Sequence, residues 1–175
     1  GYGIVYNTPE DVANAKRDME LSGDTHGTHV TGIAAGSYDG PYRGVAPEAD
    51  IVLVSTNKTE QGIMDGIDFL LKYAENAQKP ISINLSIGTV LGYKDGTDNF
   101  SVLIDQLLKG QKGKLLSIAA GNEGDRKSTL AGIFGDKQMT KSYWIPPSYG
   151  RDNLFIQGEK GHIYQLTITL KNTTN

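Results

Sequence analysis

Ile81-Ser82-Ile83-Asn84-Leu85-Ser86-Ile87 alternates aliphatic and small polar residues without a break. That is the period-two pattern of a β-strand with one apolar face and one polar face. The pattern changes on both sides of it. Upstream, from Thr59, residues Ile63, Ile67, Leu70, Leu71 and Ala74 recur at the spacing of one face of an α-helix. Downstream, Asp98 or Asn99 can cap a second amphipathic helix carrying Phe100, Leu103, Ile104, Leu107 and Leu108, closed by Gly110 and Gly113. Leu115-Leu116-Ser117-Ile118-Ala119-Ala120 reads as the next strand and runs into Gly121-Asn122-Glu123-Gly124. Further upstream, Ile51-Val52-Leu53-Val54 is a continuous aliphatic run of the kind expected for a strand buried on both faces. Strands alternating with helices build an open parallel α/β sheet, with the strand C-termini along one edge. Ligands of such sheets bind at that edge.

The outer parts read differently. Thr8-Pro9-Glu10-Asp11 offers a capping hydroxyl, a proline at the first helical position and two carboxylates in the first turn, so a short exposed helix is expected through about Arg17. Ser37 to Tyr42 and Arg43-Gly44-Val45-Ala46-Pro47 are turn-rich. From Tyr143 the helical period vanishes. Trp144-Ile145-Pro146-Pro147, then 153–157, a turn at Gly158-Glu159-Lys160-Gly161 and the alternating run from Ile163 to Leu170 predict a β-hairpin. The division expected is 1–142 as an α/β unit and 143–175 as the first strands of a β-rich module, inserted or appended.

Composition narrows the function classes. With 38% apolar and 21% charged residues the chain has the make-up of a globular protein, and no apolar run approaches the eighteen or so residues of a membrane span. A net charge of −3 without clustered Lys or Arg leaves no electrostatic footprint for nucleic acid. The absence of cysteine excludes thiolate nucleophiles and cysteine-bound zinc. The chain opens Gly-Tyr-Gly, with neither an initiator methionine nor a signal peptide, so a longer parent is expected.

Chemistry points first to Asp24-Thr25-His26-Gly27-Thr28-His29-Val30-Thr31-Gly32-Ile33-Ala34-Ala35-Gly36. A histidine stands where a turn enters a helix of small residues, which suits the close-packed middle of a fold. An imidazole on a rigid support is what a general base requires. His26 and His29 also have metal-ligand spacing with Asp24 as a third donor, and two helix-start histidines with backbone partners are a third reading. Asn122 follows a strand at the ligand-binding edge, where its amide could donate to a developing oxyanion. Asn in a glycine turn is equally explained by backbone geometry.

Taken together, the segment from Asp24 to Gly36, the turn Gly44-Val45-Ala46-Pro47, the segment Ile83-Asn84-Leu85-Ser86-Ile87-Gly88 and the segment Ala119-Ala120-Gly121-Asn122-Glu123-Gly124 resemble, in order, those of subtilisin-like serine peptidases, from about Gly23 to Gly124. The resemblance implies a partial subtilisin-like parallel α/β core. It makes His26 the general base and Asn122 the oxyanion donor of an Asp-His-Ser acyl-transfer site. It implies that Ser86, Ile87 and Gly88 pair with an extended polypeptide substrate and, with Ala120 and Gly121, wall the pocket for the residue before the cut. His29 takes a packing role.

The departures are specific. Asp11, Asp18 and Asp24 lack the Asp-Thr-Gly or Asp-Ser-Gly turn of the family's triad aspartate, and no serine follows Gly-Thr as its nucleophile would. Both are expected in missing parts of the parent chain, leaving this one inactive alone. The family commonly binds structural calcium, but Ser37 to Tyr42 offers only Asp39, and hard cations want several oxygens. No metal or cofactor is expected. Family resemblance favours an extracytoplasmic or secreted site. Two rivals remain open: a non-catalytic relative that binds or regulates a peptide partner, and a zinc module built on His26 and His29.

Overall fold

The computed structural model describes residues 3–15, 24–89, 92–126, 129–133, 135, 141–142 and 153–169. Arg17, Asp18, Gly23, the stretch from Tyr143 to Pro147 and Leu170 lie outside the described residues. The elements in chain order are α1 (Pro9–Ala15), α2 (His26–Ala35), α3 (Glu60–Ala77), β1 (Ile81–Leu85), α4 (Asn99–Leu108) and β2 (Lys114–Ile118).

The centre follows the sequence closely. Thr59 caps α3 by accepting from the Gly62 N–H, and Asp98 caps α4 by accepting from the Ser101 N–H at 2.9 Å. Each occupies a helix-start orphan donor. β1 and β2 pair in parallel, with Ile83 opposite Leu116 and Leu85 opposite Ile118. The covered face of the pair carries Ile81, Ile83 and Leu116, against which α3 and α4 set Ile67, Leu71, Ile104 and Phe100. Burial of this cluster drives the assembly. Ser82, Asn84, Leu115 and Ser117 are on the other face and exposed.

α1 also forms as expected. Thr8 and Asp11 exchange hydrogen bonds, Asp11 N to Thr8 Oγ1 at 3.1 Å and Thr8 N to Asp11 Oδ2 at 3.3 Å, a reciprocal capping box. The helix buries nothing.

Three expectations are corrected. The run from Ile51 to Val54 forms no strand. Its Ile51, Leu53 and Val54 are exposed, although Val54 lies beside α3, where a Cβ on Gly66 would be 3.0 Å from its Cγ1. Asp50 binds Lys79 at 2.6 Å at one end of the run and Asn57 accepts from Thr59 at the other. The run is therefore strung along α3, and β propensity cannot make a strand without a ladder to join. Second, residues 153–169 make the expected turn, with the His162 N–H donating to Glu159 O at 3.3 Å, but no ladder forms among them. A two-stranded hairpin without an apolar partner is marginal, and Ile163, Leu166 and Ile168 are exposed. Third, α2 buries no residue. Its small side chains supply little apolar area.

Candidate functional site

The edge where ligands are expected is built by the parallel register. β1 and β2 end side by side, and the Ala119 N–H donates to Leu85 O at 3.1 Å, carrying the ladder from the last residue of β1 to one residue past the end of β2. Ser86–Gly88 and Ala119–Gly121 therefore leave the sheet together. Ser86 and Ile87 are half-buried, Ser86 Oγ accepts from Asn84 Nδ2 at 2.9 Å, and a Cβ on Gly88 would lie 3.7 Å from Ala119 O. The two segments are near enough to form two sides of one cleft.

Gly121 turns the chain at φ +95°, a conformation costly for a side-chain-bearing residue. The turn exposes Asn122. Its backbone N–H donates to Glu123 Oε2 at 3.0 Å. In the sequence Glu123 carries no signal beyond the Gly-Asn-Glu-Gly turn in which it stands.

His26 is the first residue of α2 and is exposed. Its N–H donates to Asp24 Oδ1 at 2.9 Å, so Asp24 serves the helix start while Thr25 makes no side-chain cap. The other end of α2 is held by the turn Gly44-Val45-Ala46. Gly44 N donates to Gly36 O at 2.9 Å, Val45 N to Ile33 O at 3.1 Å and Ala46 N to Ala34 O at 2.8 Å. Three backbone N–H groups thus occupy carbonyls that a helix C-terminus leaves open. A Cβ on Gly44 would sit 2.3 Å from Gly36 N, so only glycine permits this approach.

Ser86, Ile87, Gly88, Ala120, Gly121 and Asn122 are thus gathered at one sheet edge. The structure does not bring His26 to this edge through packing of elements: the principal packing is of β1 on β2 and of α3 on β1 and α4, and α2 takes no part in it. Asp24, His26 and His29 do not gather as a metal set, and no group of three His, Cys, Asp or Glu does so among the described residues. The single carboxylate of the 37–42 loop, Asp39, fits calcium poorly. Two surface concavities, of about 460 and 540 Å3, lie on residues 43–49 and around Pro80 and Gly113 at the opposite end of the strands. Neither includes the candidate cleft. Among the described residues no helix is long and apolar enough to cross a membrane.

The fold and this edge define a parallel α/β unit whose strand C-termini lie side by side, the edge at which open α/β sheets bind ligands. The family model for the subtilases matches residues 4–167. The chain belongs to the subtilase family. It is 35% identical over 135 residues to the subtilisin-like protease PopC of Myxococcus xanthus, covering 66% of this chain and 27% of that protein. It is 34% identical over 123 residues to the major intracellular serine protease of Bacillus subtilis, covering 66% and 35%. The minor extracellular protease Epr of B. subtilis matches at 33% over 109 residues, covering 58% and 15%. Among solved structures, the Clostridium perfringens CspB protease superposes with a TM-score of 0.55 at 28% identity, covering 67% of this chain and 26% of that one. The chain spans roughly a quarter to a third of the length of PopC, the intracellular protease and CspB. By name, its relatives include both intracellular and extracellular proteases.

Proposed function

We propose that this chain is a section of a subtilisin-like serine endopeptidase that hydrolyses polypeptides by acyl transfer. His26 is general base and then general acid, and Asn122 donates to the oxyanion. The triad aspartate and serine come from other sections of the parent. The observation that supports this reading best is the juncture of Ser86–Gly88 with Ala119–Gly121 at one sheet edge. In this reading an extended substrate pairs with that backbone, and Asn122, which follows Gly121, stands at the end of the cleft. Residues 1–142 are then part of the catalytic domain, and 143–175, whose described residues form no ladder by themselves, open a β-rich module that pairs with further sections of the parent. No metal or cofactor takes part, and the parent acts outside the cytoplasm.

The test is steady-state peptidase kinetics in a polypeptide that joins this chain to the sections completing the triad. Asn122→Ala lowers kcat by roughly 10²- to 10³-fold with KM little changed, a magnitude carried over from a subtilisin and not calculated from this site. A raised KM at unchanged kcat contradicts the oxyanion role. The 175-residue chain by itself shows no turnover beyond the residual catalysis of an incomplete site, and ordinary enzyme rates from it overturn the reading.

A further inference from the structure

Residues 153–157 lie against the loop that leads from Gly88 to α4. The Tyr93 hydroxyl donates to Ile156 O at 3.5 Å, and the Tyr93 and Phe155 rings meet edge to face at 6.4 Å and 79°, a favoured aromatic geometry. Gln157 Nε2 donates to Asp95 Oδ2. The two hydrogen bonds join residues 63 and 62 positions apart.

The Asp95 end of this contact is fixed in its own right. Asp95 Oδ1 accepts from Thr97 N at 3.0 Å and from Thr97 Oγ1 at 2.8 Å. Three residues later Asp98 caps α4, with Oδ2 accepting from Ser101 Oγ at 2.7 Å. The loop is therefore held at α4 on one side and by 153–157 in its middle. Gly88 stands only five residues before Tyr93 in the chain, so the place of Tyr93 limits the reach open to the segment Ser86–Gly88.

We propose that residues 153–157 act as a positioning strap, which grips Tyr93 and Asp95 and so fixes the alignment of the substrate-pairing segment Ser86–Gly88. The proposal rests on the reading of that segment as the one that pairs with a polypeptide. Gln157 is then a positioning residue, distant from the reacting atoms. It governs how well an extended peptide is received, not the acyl-transfer step.

The test uses Gln157→Glu, which sets a carboxylate against Asp95, and Gln157→Lys, which keeps a donor there and adds the opposite charge. Backbone amide hydrogen exchange over 86–98, measured in the 175-residue chain, becomes about 3- to 10-fold faster in the Glu variant, the scale of losing a hydrogen bond of about 1 kcal/mol. The Lys variant exchanges like the unsubstituted chain. In the polypeptide that completes the triad, the Glu variant raises KM by a similar factor at unchanged kcat, and Lys restores it. Equal exchange in all three proteins overturns the strap, as does a fall in kcat at constant KM. A parent that fails to react with a fluorophosphonate defeats the peptidase reading instead, and the exchange experiment still decides whether the strap grips the loop.

Discussion

Residues 59–119 and residues 24–57 contrast in how they hold themselves together. In the first, two helices carry side-chain caps, a parallel ladder closes in register, and a small apolar cluster is buried between them. In the second, α2 has no side-chain cap and no buried residue, and the aliphatic run at 51–54 finds no ladder. The half built of large, periodically placed aliphatics supplies its own core. In the second part α2, built largely of Gly, Ala and Thr, needs cover from elsewhere, because small residues stabilise by close approach to a neighbour and contribute little area of their own. The proposed general base is on that second part, so its placement depends on more chain than that of Ser86–Gly88 and Ala119–Gly121 does.

Substitutions on either side of this divide measure it. Ile83→Ala, in the buried cluster, costs about 2 to 5 kcal/mol in urea unfolding. Ile33→Ala on exposed α2 stays within about 0.5 kcal/mol in the same chain, and equal costs at the two sites break the comparison. Gly44→Ala forces a Cβ to within 2.3 Å of Gly36 N. It costs about 1 to 3 kcal/mol and removes amide protection at Gly44, Val45 and Ala46, whereas retained protection means that α2 is held by something other than this turn.

The smallest effect is on pH. The Ser101 hydroxyl and then its N–H donate to Asp98 and hold its carboxyl below the usual range. The charged form is favoured by folding, so this contribution is complete above the ordinary carboxylate pKa of about 3.9 and is lost as pH falls through the lower folded value. Helix content from α4 should hold between neutral pH and about pH 5 and decline in acid, with Asp98→Asn flattening the decline. An unchanged acid profile in that variant removes Asp98 as the cause.

Much of the ordered centre was legible in the sequence because its signals are local. Thr59 and Asp98 mark helix starts by their own chemistry, and the alternation from Ile81 defines a strand whatever surrounds it. Ile51–Val54 and the 153–169 stretch carry equally good strand patterns, yet a strand also needs a partner, which pattern alone does not provide. The candidate site divides the same way. Ser86–Gly88 and Ala119–Gly121 come together because the register of β1 and β2 requires it. The grip of residues 153–157 on Tyr93 and Asp95 was not legible, for it joins positions 62 and 63 apart with no periodicity to announce it.

In the proposed mechanism His26 activates a serine supplied by the rest of the parent. Fluorophosphonate labelling of a polypeptide that carries this chain together with the sections completing the triad tests it directly. The unsubstituted protein takes the label, and His26→Ala loses it with the fold intact. Labelling that survives His26→Ala, or a folded protein that takes no label at all, would contradict it, the second result pointing to a relative that holds peptides without cutting them.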